Sequence, residues 1–362
     1  MGQQDALLVE LSGQTRSGSI GALGWSYNAR SEQTAAMQEV YIRTGPDRGH
    51  FVWQDINADG RIQLDEFFPE TTPGEGEYAR TLFPSDSLQS VTTAEARFTY
   101  GWVPTPASSG WRRIAMDASV DVLETTRAAD RIGVYLLKPS ALRVPGETVN
   151  GRIRLSGRLG LYPLRSDRDV QISWLQGASL AALASGNEST QNKQIGLILR
   201  EEVRQDLDVT FASTWMDEIA TSEQFATRSF AIRRWEIRPG AVIRLNNWRV
   251  QSEAMYSRGR EEGTGASVRT VRLPVNVFWN TRPLRWRMGG EWSDAAVDGG
   301  APLGLQLFEL TEGRGAGTSW MWHLHLDMLL TDVLTATLRY DGRNPTGLPT
   351  IHTGRFQLSA RF

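Results

Sequence analysis

The sequence predicts an all-β fold: an antiparallel up-and-down transmembrane β-barrel, preceded by a small N-terminal β region that carries a calcium loop. Three observations carry this reading. Long stretches alternate strictly between apolar and polar residues, the connections between them alternate between short and long, and 13 tryptophans occur in 362 residues, nine of them from Trp174 onward. Alternation of period two marks a strand whose two faces meet different solvents. Indole rings favour the headgroup region, so the tryptophan excess fits aromatic girdles at strand ends.

The N-terminal element, expected over residues 1–92, holds a motif of defined chemistry. Residues 55–66 read Asp-Ile-Asn-Ala-Asp-Gly-Arg-Ile-Gln-Leu-Asp-Glu, which matches the twelve-residue EF-hand loop. Asp55, Asn57 and Asp59 supply side-chain oxygens at positions 1, 3 and 5, and Gly60 makes the sharp turn at 6. Arg61 offers its carbonyl at 7, Gln63 stands at 9, and Glu66 binds bidentately at 12. Hard oxygen donors at this spacing select Ca²⁺ over a transition metal. Ile62, at position 8, is expected to anchor the loop to a core. The flanks depart from an EF-hand: His50-Phe51-Val52-Trp53 is strand-like, and Leu64 to Phe68 allow about one helical turn before Pro69. The loop is therefore expected to staple strands rather than to act as a sensor.

Barrel strands are expected from residue 93 to 362. Trp320, Trp322, Leu324, Leu326 and Met328 alternate with Met321, His323, His325 and Asp327; Leu334, Ala336, Leu338 and Tyr340 alternate with Thr335, Thr337, Arg339 and Asp341. The candidate strands are 94–103, 112–126, 131–138, 150–162, 168–178, 193–203, 207–217, 227–237, 246–257, 267–279, 284–294, 318–330, 333–342 and 353–362. That makes fourteen, or twelve without 94–103 and 131–138. Segment 227–237 changes phase between Ile232 and Trp235, which a bulge would explain. Short breaks at 165–167, 204–206, 239–240, 280–283 and 331–332 alternate with long ones at 179–192, 218–226, 258–266, 295–317 and 343–352. Tight turns on one rim and long loops on the other are the habit of outer-membrane barrels.

By alternation the inward wall carries Arg152, Arg154, Arg158, Arg249, Arg272, Arg285, Arg287 and Arg339. Against them stand Asp117, Asp121, Asp208, Glu253, Glu291, Asp327 and Asp341. Eight bases against seven acids give no expectation of strong charge selectivity. A plug is expected from residues 1–90 or from a long loop.

The last strand ends Phe356-Gln357-Leu358-Ser359-Ala360-Arg361-Phe362. It resembles the C-terminal strand of Gram-negative outer-membrane barrels, whose terminal phenylalanine is read by the barrel assembly machinery. The string from Val40-Tyr41 through Gly49-His50-Phe51-Val52-Trp53 to Asp65-Glu66-Phe67 resembles a segment of large Gram-negative outer-membrane proteins that precedes a C-terminal barrel. The resemblance implies a bacterial outer-membrane location, lipid as neighbour, and an upstream domain or partner protein. Met1 to Asp5 have no basic n-region, so no signal peptide is expected within this chain.

Composition narrows the function. A net charge of −2 gives no global field for nucleic acid, and zero cysteine excludes disulfides and thiolate chemistry. No G-x-S-x-G elbow or nucleophile–base pair stands out, so no enzyme is expected. His323, His325 and Asp327 share one strand face, as a metal site or as plain polar wall. Three functions stay open: a partly plugged channel for small polar solutes, a structural or cell-surface module of a secretion or adhesion system, and a soluble calcium-stapled carbohydrate-binding β protein.

Overall fold

Long alternating segments become long strands. The computed structural model describes residues 8–17, 21–45, 48–70, 75–103, 111–163, 168–183, 186–300, 302, 305–344 and 349–361. The strands are β1 (Leu8–Ser17), β2 (Gly21–Arg43), β3 (Phe51–Trp53), β4 (Phe67–Pro69), β5 (Tyr78–Trp102) and β6 (Trp111–Thr126). They continue as β7 (Thr148–Pro163), β8 (Arg168–Leu183), β9 (Gly186–Arg204), β10 (Leu207–Ser222), β11 (Phe230–Leu245) and β12 (Trp248–Glu253). The last are β13 (Met255–Glu261), β14 (Ser267–Thr281), β15 (Leu284–Asp298), β16 (Gly317–Leu329), β17 (Leu334–Asn344) and β18 (Ile351–Ala360). Two short helices interrupt them, α1 (Arg131–Tyr135) and α2 (Leu305–Thr311). The architecture is the all-β, antiparallel barrel class expected from the sequence.

Strand number and extent differ from expectation. Residues 8–43 form two long strands paired antiparallel from Leu8↔Arg30 to Ser17↔Gly21, and the boundary expected at 92/93 falls inside β5. Segment 131–138 is not a strand. Asp130 caps α1 by accepting from the Gly133 amide at 3.0 Å, and Pro139 lies just beyond it. Ile132, Val134 and Leu136 imitate strand alternation, but Val134 is buried while Ile132 and Leu136 are exposed. Much of the long loop expected at 179–192 is instead β8 and β9 continuing beyond it.

Two compact units divide the chain. The first comprises the segments up to Tyr41, Arg80–Leu197 and Trp215–Ala231; the second comprises Ile42–Ala79, Ile198–Thr214 and the chain from Ile232 on. In the first, β5, β6, β7 and β8 pair antiparallel in sequence order. Arg97, Asp121 and Arg154 lie in register on the polar face, and Phe98, Leu155 and Ile172 stand exposed on the other.

In the second unit β14 through β18 form a meander with strict register. The expected break at Pro239-Gly240 lies within β11, and the turn falls at Asn246-Asn247, with Asn246 at φ 50°. β11 pairs with β12 and β13 in one unbroken register. That register places Pro239, which has no N–H to donate, opposite Ala254, where the neighbouring strand is interrupted. No bulge shifts the phase. Ile232 faces inward instead, 1% exposed, because α2 packs on β13 and β14 and fills that end. Leu310 of α2 lies over Gly259, where an added Cβ would meet Leu310 Cδ2 at 3.6 Å.

The burial of this unit is inverted relative to a water-soluble sheet. On the α2 face Ser257, Glu261, Thr270, Ser293 and Ser319 are buried. On the opposite face Leu273, Val275, Met288, Leu338, Phe356 and Leu358 are 36–64% exposed. Trp248, Trp279 and Trp286 also lie on that face, paired across three strands beside the short turns, with ring centroids 5.3–6.5 Å apart.

Candidate functional site

The loop from Asp55 to Glu66 closes a small hairpin. β3 and β4 pair through Phe51↔Pro69, Val52↔Phe68 and Trp53↔Phe67, and the Gln54 amide donates to the Glu66 carbonyl at 2.9 Å. Between them the chain turns through Ala58 at φ 56° and Gly60 at φ 70°, the left-handed region that glycine enters without cost. Asp55 accepts from the Asp59 and Gly60 amides at 3.2 and 2.8 Å, and Asn57 Oδ1 accepts from the Asp59 amide at 3.0 Å. Asp59 accepts from the Arg61 amide at 2.7 Å and from Gln63 Nε2 at 2.8 Å. Carboxylate oxygens of Asp55, Asp59 and Glu66 all lie within 4.8 Å of one another.

Glu66 decides how well a cation fits. It closes a single 3₁₀ turn, Leu64–Glu66, and is 2% exposed. Its Oε2 accepts from Trp53 Nε1 at 2.8 Å and from the Gln63 amide at 3.2 Å, while its buried Oε1 has no hydrogen-bond partner. A buried carboxylate oxygen without a partner is costly, and a cation on the Asp55–Asp59 side would satisfy it. The expected strand-like entry and single exiting turn are present. Ile62 is a correction: it is 61% exposed and anchors nothing. Phe67 and Phe68, 7% and 4% exposed, hold the hairpin instead. Trp53, which fixes Glu66, was not among the expected site residues; its position two before the loop is the only sequence signal for it.

A second constellation lies on the inner face of the same unit. Glu312, just past α2, receives Arg272 at 2.7 Å and Arg234 at 3.3 Å, with Arg314 Nη1 at 3.7 Å. Arg272 also holds Glu291 through two bonds of 3.2 Å, and Arg314 reaches Glu291 at 2.9 Å. Arg234 further donates to the Glu309 carbonyl. Thus three arginines and two glutamates pin the segment carrying α2 to the wall. Phe68 of the β3–β4 hairpin meets Phe308 of α2 with ring centroids 6.1 Å apart, and Arg343 of β17 pairs with Glu75 just beyond the hairpin. A cavity of about 200 Å³ lies there, lined by Glu70, Phe308, Glu312, Arg314, Met321 and Arg343.

His325 has both ring nitrogens engaged, Nε2 with Asp327 at 3.3 Å and Nδ1 beside Arg287 Nη2 at 3.4 Å. A cation beside the ring suits a polar wall better than a metal site. The expected terminal recognition residue, Phe362, and the turn at 165–167 lie outside the described residues.

An apolar exposed outer face, a polar inner face, aromatic residues beside the turns, and short turns opposed to long loops define one type of barrel. The chain is an outer-membrane β-barrel protein. No described helix is long and apolar enough to cross a membrane. No protein-family model matches the sequence, and no curated protein matches it. Among solved structures it is similar to the outer-membrane channel DcaP of Acinetobacter baumannii, at 9% identity and a TM-score of 0.43, covering 92% of this chain and 96% of that one. It is similar to a mutant of the ferric enterobactin receptor PfeA from Pseudomonas aeruginosa, at 11% identity and a TM-score of 0.42; that match covers 93% of this chain and 52% of the receptor. It is also similar to OmpT of Vibrio cholerae, at 7% identity and a TM-score of 0.34, covering 92% and 89%.

Proposed function

We propose that this outer-membrane barrel is a channel for small polar solutes, narrowed by its own α2 segment and braced by a calcium-stapled hairpin. The observation that supports it most is the Arg234–Arg272–Arg314–Glu291–Glu312 network, which holds residues 305–314 on the inner wall. Of the two expected sources of a plug, residues 1–90 or a long loop, the reading favours the long loop at 295–317, because β1, β2 and β5 belong to the sheet. Conductance in planar bilayers tests the proposal. The full chain is expected to conduct weakly, Glu312→Gln more strongly, and a chain lacking Leu305–Thr311 most strongly. Silence from all three would remove the channel and leave the structural or cell-surface reading.

Asp55, Asn57, Asp59, the Arg61 carbonyl, Gln63 and Glu66 would hold Ca²⁺, which would offset most of the charge of the three carboxylates and fix the hairpin against Phe308. Terbium provides the check, since Trp53 touches Glu66 and can sensitise a lanthanide bound there. Calcium-competed emission that disappears in Glu66→Gln is expected; equal emission from that variant would refute the site. A further consequence is calcium-dependent protection of residues 37–90 from protease, lost in the same variant.

A further inference from the structure

The cross-strand register of the second unit gathers arginines that the sequence scatters over more than 110 positions. Arg244 of β11 lies opposite Arg249 of β12, and Arg249 opposite Phe278 of β14. Phe278 lies opposite Arg287 of β15, Arg287 opposite His325 of β16, His325 opposite Arg339 of β17, and Arg339 opposite Arg355 of β18. Five of seven neighbouring positions in one transverse row are therefore arginine. The row spans roughly 29 Å across the sheet at about 4.8 Å per strand. Its side chains share the inner face with Arg272 and Glu291, by strand parity.

Little acid answers this charge. Asp208 pairs with Arg244 at one end of the row. Asp327 lies one step nearer the short turns, opposite Arg285, and Asp341 one step farther, opposite His323. Within β11–β18 these three rows hold six arginines and two aspartates, and Asp206 and Asp208 stand at the Arg244 end. Among the described residues Arg249, Arg287 and Arg339 form no ion pair with a carboxylate; the Arg249 guanidinium lies 5.6 Å from the Phe278 ring centroid. Like charges set across strands destabilise a sheet, so the row carries a cost that packing does not return. A groove of about 580 Å³ opens at the short-turn end of the row, where Arg244, Arg249, Arg287 and His325 line it together with Asn246, Asn247 and the rim tryptophans; it does not extend to Arg339.

Guanidinium forks match carboxylate and phosphoryl oxygens in paired, charge-assisted hydrogen bonds. Arginines one and two strands apart place such forks about 5 and 10 Å from each other; one carboxylate can reach two forks at the shorter spacing, but only an anion with several oxyanion groups can engage forks at the longer one. We propose that this row is a binding track for small multivalent oxyanions. It deepens the channel reading by naming a solute class, yet binding does not require conduction.

Titration calorimetry on the full chain in detergent tests the two separately. Citrate and pyrophosphate serve as carboxylate and phosphoryl probes, and acetate as the monovalent control. The wild-type chain is expected to bind at least one multivalent probe more tightly than acetate. The double variant Arg287→Gln/Arg339→Gln is expected to lose about tenfold or more in that affinity, and Arg158→Gln, in the other unit, to lose none. Which probe binds better tells carboxylate from phosphoryl preference. Acetate binding as tightly as both probes, or a double variant that binds like wild type while keeping its heat-modifiable gel shift, would overturn the track. Binding without bilayer conductance would keep the track and remove the channel; conductance without binding would do the reverse.

Discussion

Strands β5–β8 of the first unit and β11–β18 of the second rest on the same alternation, yet their polar faces arrange charge differently. In the first, Arg97 pairs with Asp121, which lies opposite Arg154, and Arg158 pairs with Asp117 at 2.9 Å. Acid and base meet across neighbouring strands there, and two of the arginines are paired. In the second, the glutamates are drawn to one end, where Glu291 and Glu312 hold α2, and the arginine row is left with few acids. One wall spends its charges on its own cohesion. The other leaves Arg249, Arg287 and Arg339 without a carboxylate partner among the described residues.

Lipid against the apolar face of both walls sets the largest expected effect. Leu155→Arg in one wall and Leu338→Arg in the other should each cost about 2–4 kcal/mol near the bilayer midplane, as should Leu324→Arg. Thr337→Arg, on the inner face, should be mild. Urea unfolding in lipid vesicles reads these costs, and equal penalties on both faces would remove the membrane assignment. A smaller effect separates the walls from each other. Asp121→Asn removes the acid between Arg97 and Arg154 and should lower stability slightly, whereas Arg287→Gln relieves repulsion and should leave stability unchanged or raised. A larger loss from Arg287→Gln than from Asp121→Asn would reverse the contrast.

Much of this was legible in the sequence. Strict alternation in β14–β17 located strands and faces correctly, since membrane strands have one face in lipid along their whole length. The gathering of Asp55, Asp59 and Glu66 was legible because these residues follow one another within twelve positions of the chain. What escaped depends on distant partners. α1 imitates a strand through Ile132, Val134 and Leu136, and only its Asp130 cap and Pro139 give it away. Ile232 left its expected face because Leu310, nearly eighty residues later, fills the interior there. β8 and β9 run on through small and polar residues that read as loop. The arginine row was invisible for the same reason: a tally of eight bases and seven acids holds no register, and register decides which charges meet.

Ion selectivity tests the central claim most directly. Reversal potentials across a planar bilayer with a potassium chloride gradient, measured on the chain lacking Leu305–Thr311, report which ion the wall prefers. The arginine row predicts preference for chloride, reduced in Arg287→Gln/Arg339→Gln and unchanged in Arg158→Gln. Preference for potassium, or a chloride preference that the double variant leaves intact, would contradict the account.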